Sequence, residues 1–284
     1  MYISDVKSII LLICVFCFIS IEGRTYEHNY EEVETPFDQS LLPIGEKLTY
    51  KMYLFGRFLK VGNAEFTINE LDQDGRSFYH FSGKGQGGYL FYTVKMALDG
   101  FVDKATLKPV EYVHLQTGFE KRCRKLIFDW NTNILTYYKK KLLTDLYRKK
   151  SESSLVPGTR DILSVVYFAR SIPPVVGYSR VVRFVEKREI WTVTIRVAEK
   201  QTIRLKNGYS VKALLLHIEP HHDLHEGNEV FRALFSGKKR IGLWVTEDYR
   251  IPLMIEGKLP YKWLPIPFTV ILSDWFPAER IDTQ

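Results

Sequence analysis

The sequence is poor in sulfur and in long apolar runs. Of its 284 residues only 3 are cysteine and 4 methionine. Cys14 and Cys17 fall inside one N-terminal apolar stretch, which leaves Cys123 alone in the rest of the chain. One thiol cannot form an intrachain disulfide, so the fold must rest on a packed core. The longest apolar stretch, Ile9 to Ile21, spans 13 residues and is interrupted only by Ser20. A bilayer-spanning helix needs about 20 such residues. Motifs of chemistry are missing as well. There is no G-x-S-x-G, and Ser236 with Lys239 matches S-x-x-K without its companion motifs, which leaves no signature of a serine hydrolase. No nucleic-acid-binding motif occurs, and nothing calls for a cofactor.

What is present begins with a targeting pattern. Lys7 followed by Ile9 to Ile21 reads as the basic and apolar regions of a signal peptide, with cleavage expected after Gly23. Residues 1–23 are therefore read as the signal, 24–42 as an acidic leader without periodicity, and 43–284 as a single β domain. The bulky Ile13 and Phe16 before the two N-terminal cysteines disfavour lipidation. Removal of Lys7, Asp5 and Glu22 moves the formal charge from +7 to +8. A basic protein suits nucleic acid, an anionic membrane surface or acidic ligands. Export, expected here to the periplasm of a bacterium, argues against nucleic acid. Groups such as Lys121, Arg122, Arg124, Lys125 and Lys139 to Lys141 read most simply as solvated faces of strands.

At 45% hydrophobic and 14% aromatic residues, the chain can fill a core of its own. The pattern within it is that of β structure. Leu48, Tyr50, Met52 and Leu54 alternate with polar neighbours, and Ala64, Phe66 and Ile68 repeat the period of two. Turn sequences at Asp72–Gly75, Asn131–Asn133 and Asn207–Gly208 recur between β-branched runs, which predicts a meander of hairpins. The exception is Thr159 to Ser171, where Thr159 or Asp161 can cap a helix that Pro173 and Pro174 stop. Ile162, Leu163, Val165, Val166, Tyr167 and Phe168 surround that helix with apolar side chains, so burial against the concave face of a curved sheet is expected. The predicted fold is mainly β, a curved antiparallel meander, half-barrel or β-spiral, packed around one buried helix.

With these elements in place, the chain resembles the secreted bacterial proteins grouped as domain of unknown function 3108. The resemblance runs from about Gly45 to Leu272 and is carried by GEKLTY at Gly45, GNAEFTI at Gly62 and VDKATLKPVEY at Val102. It continues through RDILSVVYFARSIP at Arg160 and LWVTEDYRIPLMIEGKL at Leu243. It implies a curved sheet around a helix, similar in form to periplasmic lipoprotein carriers, and no reaction. Two departures stand out: the histidine-rich stretch Pro220 to Asn228, and PYKWLPIP from Pro260 to Pro267 where a smoother strand is the pattern.

Several constellations bear on function. Gly83, Gly85 and Gly88 satisfy G-x-G-x-x-G with Asp103 downstream, but the aromatic, β-branched run that follows is no phosphate-binding helix, so a bulge or a close backbone approach is the better reading. His221, His222, His225 and Glu226 could ligate a metal and would underlie a metal-dependent hydrolase; adventitious surface histidines are the competing reading. Cys123 among basic residues reads as an inert thiol, with partial exposure on a strand face shared with Lys121 and Lys125. Phe91, Tyr92, Tyr167, Trp263 and Phe268 are the candidate ligand-binding residues, since aromatic side chains line apolar pockets; they also serve cores. Pro265 and Pro267 are expected to take WLPIPF out of the sheet. The sequence thus points to an exported, non-enzymatic envelope protein that binds lipid or another apolar ligand in a curved sheet. The alternative is a structural or assembly protein whose sheet the helix plugs.

Overall fold

The computed structural model describes residues 42–89, 92–118, 121–141, 144–186, 189–205, 208–220, 241–259 and 266–277. The proposed signal and all of the leader but Leu42 lie outside them, as do Phe91, Trp263 and the histidine cluster His221, His222, His225 and Glu226. The strands are β1 (Lys47–Leu54), β2 (Leu59–Gln73), β3 (Arg76–Tyr89), β4 (Tyr92–Asp103) and β5 (Pro109–Gly118). Next come β6 (Arg122–Asp129), β7 (Ile134–Lys140), β8 (Arg148–Ser154) and the short β9 (Thr159–Arg160). After the helix follow β10 (Ser179–Glu186), β11 (Glu189–Arg204), β12 (Ser210–Pro220), β13 (Ile241–Thr246), β14 (Pro252–Leu259) and β15 (Ile266–Phe276).

These 15 strands of the described residues form a single sheet in the order β8-β7-β6-β5-β4-β3-β2-β1-β15-β14-β13-β12-β11-β10-β9. Each half of the chain is a meander, and the first and last strands pair at the centre, Leu54 opposite Phe268 and Tyr50 opposite Leu272. Every pairing is antiparallel except that of β9 with β10. The two edge strands, β8 and β9, are consecutive in sequence. Residues 155–158 join them and span at most about 18 Å of extended chain, so the sheet must curl until its edges approach.

The local causes are those anticipated. Leu48, Tyr50, Met52 and Leu54 are buried at every second position of β1. Asp74 and Gly75, at φ 51 and 74, make the two-residue hairpin turn between β2 and β3, which requires positive φ at both places. Asp129 Oδ1 accepts from the Asn131 and Thr132 amides at 3.0 and 3.2 Å and closes the turn before β7. The nucleotide-binding reading of the glycines is excluded by their place: all three lie within β3 and none precedes a helix. A Cβ on Gly62 would stand 2.9 Å from the Gly87 Cα across the β2–β3 ladder, so these strands approach more closely than side chains allow.

The helix is shorter than the sequence suggests. Thr159 and Arg160 pair with Arg183 and Phe184 as β9, α1 covers only Ile162–Phe168, and Ala169–Ser171 form a 3-10 turn. Asp161 sets the boundary. Its Oδ1 accepts from the Leu163 and Ser164 amides at 2.9 and 3.0 Å, and Ser164 Oγ donates to Oδ2 at 2.6 Å. Burial pushes the Asp161 carboxyl up, and these hydrogen bonds oppose that rise. Leu163, Ser164, Tyr167 and Phe168 are buried, whereas Val166 is only half-buried, so α1 has one outer flank rather than apolar packing all round. Gly100 makes room for the cap: a Cβ there would lie 3.0 Å from Asp161 Oδ1. A Cβ on Gly83 would meet Leu163 Cδ2 at 3.4 Å.

One hydrophobic core unites α1 with both halves of the sheet, from Leu98, Leu126 and Phe128 to Val193, Leu214 and Leu243. A second, smaller cluster of Ala213, Trp244 and Leu253 lies apart from it, with Ile203, Leu205 and Val211 packed against it.

Candidate functional site

The face of the sheet that carries α1 can be traced strand by strand, because residues paired directly across a ladder share a face. Gly83 contacts α1, and its row continues through Leu98, His114, Arg124 and Lys139 to Arg148. The adjacent row runs from Gly85 through Met96 and Gln116 to Arg122. On the other side of the first, Gly100, Tyr112, Leu126 and Tyr137 align. The inner face of β5 to β7 is therefore apolar near α1 and basic beyond it. In β10 to β13 the corresponding surface carries Val182, Phe184, Trp191, Val193, Ile195, Leu214, Leu216 and Leu243, all buried and apolar except for the Trp191 indole N–H.

The polar members are deeply placed. Gln116 is 0%, His114 1% and Arg124 7% exposed. Burial drives the His114 imidazole well below its ordinary value, Arg124 and then Arg122 add to the effect, and a hydrogen bond with Gln116 opposes it. His114 is thus held neutral by a dry, positive surround. Such a surface can receive a carboxylate or phosphate oxygen, whose charge would be attracted by both guanidinium groups.

A second polar group fixes α1. Arg170 and Glu46 form a doubly hydrogen-bonded ion pair, with their side chains 4% and 1% exposed. Arg170 Nη2 also donates to the Tyr249 carbonyl at 3.0 Å, and the Trp275 indole donates to Glu46 Oε1 at 3.1 Å. The Tyr50 hydroxyl donates to the Pro252 carbonyl at 2.9 Å. Arg250 Nε reaches the Ile172 carbonyl at 3.3 Å. The segment after α1 is in this way bound to β1, β15 and the β13–β14 turn at once. This end of the half-barrel is the plugged one.

Of the candidate ligand-binding residues, Tyr167 and Phe268 are not brought together, and Phe91 and Trp263 lie outside the described residues. Tyr167 is buried against Phe81, with ring centroids 4.7 Å apart, and burial pushes its hydroxyl far above the ordinary tyrosine range. Phe268 is buried beside Gly257 and opposite Leu54, four residues along β1 from the Tyr50 level of Tyr167 and Glu46. Tyr92 opens β4. Pro267 stays within the sheet, opposite Lys258, instead of leaving it; it is the second residue of β15, where a lost donor costs only an end bond. Cys123 is buried, not partly exposed, and its thiol is pushed up by burial, which suits an inert group. Among the described residues no group of His, Cys, Asp or Glu is placed to hold a metal ion, and no helix is long and apolar enough to cross a membrane.

His114 and Gln116 escaped the sequence reading, and Arg122 and Arg124, read there as part of a solvated face, lie on the inner face, Arg124 buried. In β5 both parities carry apolar residues, Val113 and Leu115 on one face and Tyr112 on the other, so the face of His114 is ambiguous. The signal lay in β6. Extending the alternation of Leu126 and Phe128 backward by two and four places puts Arg124 and Arg122 inside.

This single curved antiparallel sheet with one helix is a β-barrel-like fold. The chain belongs to the family of proteins of unknown function designated DUF3108, whose profile matches residues 49–262. A β-barrel-like protein of another uncharacterised family, DUF1849, from Brucella abortus shares the fold at a TM-score of 0.51 and 8% identity, over 84% of this chain and 99% of its own. A putative exported protein with a YmcC-like fold from Bacteroides fragilis aligns at a TM-score of 0.27 and 7% identity, over 82% of this chain and 96% of its own. No curated protein matches the sequence.

Proposed function

We propose that the chain is an exported, non-enzymatic protein of the cell envelope that binds an anionic amphiphile, such as a lipid or fatty acid, on the inner face of β4 to β7. The observation that carries this reading is the junction of an apolar wall, Leu98, Leu126 and Phe128, with buried Arg124 and half-buried Arg122 beside the neutral imidazole of His114. An acyl chain suits the first and a phosphate or carboxylate the second. Native mass spectrometry of protein purified without detergent tests it. The expected result is a retained anionic amphiphile, lost in Arg122→Gln with Arg124→Gln while the thermal midpoint stays high enough for a folded sheet. Absence of any such adduct, together with no binding of added lysophosphatidylglycerol, overturns the proposal.

The burial of Leu163, Tyr167 and Ile172 in the same core as both sheet halves favours a second reading, in which the sheet is a plugged scaffold for assembly with a protein partner. Recovery of a defined protein complex from envelope extracts, with no bound amphiphile, is the result this reading expects.

A further inference from the structure

The strands alternate in direction, so their ends sort into two sets. The plugged end holds Glu46, the turns at Asp74, Asp103, Asp129 and Asp248, and the end of β15 at Asp274. The opposite rim holds the β1–β2 turn, the close of β5 and β7, and the β14 end that pairs with the start of β15. Lys60, Lys95, Lys121, Lys141 and Lys258 are exposed within a few residues of the rim ends of β2, β4, β6, β7 and β14, and Asp145 and Glu256 are exposed acids near them.

Apolar exposure at the β1–β2 turn is costly. Phe58 is 92% exposed and Phe55 49%, on a turn in which Phe55 and Arg57 hold φ 52 and 85, the left-handed region that bulky side chains avoid. The Phe55 amide donates to the Pro267 carbonyl at 2.9 Å, which anchors the turn to β15. Arg57 lies back along the sheet, its Nη2 2.9 Å from Met254 Sδ. Leu146, in the stretch between β7 and β8, is also almost wholly exposed. The plugged end exposes apolar side chains too, Val175, Val176, Tyr209, Tyr249, Trp275 and Phe276 among them, but Tyr249, Trp275 and Phe276 stand close to Asp248 or Asp274 in the chain.

We infer that the β1–β2 turn is a membrane-docking tip, which sets Phe55 and Phe58 into an anionic lipid surface while the rim lysines lie at its headgroups. Aromatic side chains flanked by lysine are the chemistry of an interfacial anchor, and the exposed lysines around the β1–β2 turn set which end faces the bilayer. This docking does not depend on a ligand in the sheet.

The test labels the full chain, with Cys14→Ser and Cys17→Ser, at Phe58→Cys with an environment-sensitive fluorophore; Asp74→Cys, on the turn at the plugged end, is the matched control. Vesicles of phosphatidylglycerol and phosphatidylcholine are expected to raise the emission at position 58 several-fold, far less in 1 M salt, and to leave position 74 unchanged. Lys60→Gln with Lys258→Gln is expected to weaken partitioning on the order of tenfold. No response at 58, an equal response at 74, or an equal response to phosphatidylcholine alone overturns the inference. So does a response to rising protein concentration without vesicles, which would assign the tip to a second copy of the chain.

Discussion

The two ends of this half-barrel differ in how their polar groups are used. At the plugged end, acids are consumed by structure: Asp161 caps α1, Asp103 accepts from Thr106 and Arg76, and Glu46 holds Arg170. At the rim, charges and apolar side chains are exposed and answer to no described interior contact that would explain Phe58. The first arrangement is what holding a helix inside a sheet demands; the second serves something outside the molecule. The contrast orders the expected effects of substitution.

The largest belongs to the buried pair. Arg170→Met leaves the buried Glu46 carboxyl without its guanidinium partner and is expected to lower unfolding stability in urea by about 3–5 kcal/mol, whereas Glu46→Leu combined with Arg170→Met loses less than either alone. If Arg170→Met were no worse than a surface change, the plug would not depend on the pair. Next comes α1 itself. Leu163→Ala, against Gly83, is expected to cost about 2–4 kcal/mol, and Val166→Ala about 1 kcal/mol or less, because Val166 is half-buried. Reversal of that order would put the wrong flank of α1 inside.

Between the two ends lies His114. Its folded value is depressed, so the unfolded chain binds the proton more readily, and the stability associated with neutral His114 is present above the ordinary histidine value and lost as pH falls through it. Below about pH 6.5 the parent should lose up to roughly 1.4 kcal/mol per pH unit from this source, and His114→Asn should flatten the slope in urea titrations at pH 5–7. An unchanged slope would mean that the histidine is solvated, and the site with it. The smallest effect is expected at the rim. Phe58→Ser should shift stability by no more than about 0.5 kcal/mol, since the ring touches little of the fold; a large loss of thermal midpoint would move Phe58 from the rim to the core.

Much of the plugged end was legible in the sequence, and the rest of the interior was not. Local chemistry announced the hairpin at Asp74–Gly75 and the period of β1, and Asp161 was one of two residues offered as the cap. The choice between Thr159 and Asp161 rested on β9, a two-residue pairing with β10 that no periodicity encodes. Glu46 and Arg170 are separated by 124 residues, and only the curl of the sheet makes them neighbours. The inward arginines were hidden by the ordinary rule that charge lies outside, although the alternation of β6 contradicted it. Tyr167 and Phe268 are aromatic for the needs of packing, which composition alone does not separate from those of a pocket.

The pairing of β1 with β15 has a consequence for how the chain reaches this state. The central ladder of the sheet joins the first described strand to the last, so its closure waits for nearly the whole chain, and its pairs are the most widely separated in sequence of any ladder among the described residues. Folds dominated by such pairings form slowly, and each meander meanwhile presents an unpaired edge at the strand that will become the middle. An incomplete chain therefore has a sticky seam where the mature protein has its spine. Truncation after β14 should leave β1 free to pair with other chains, so that loss of a single terminal strand appears as aggregation during refolding rather than as a smaller, stable domain.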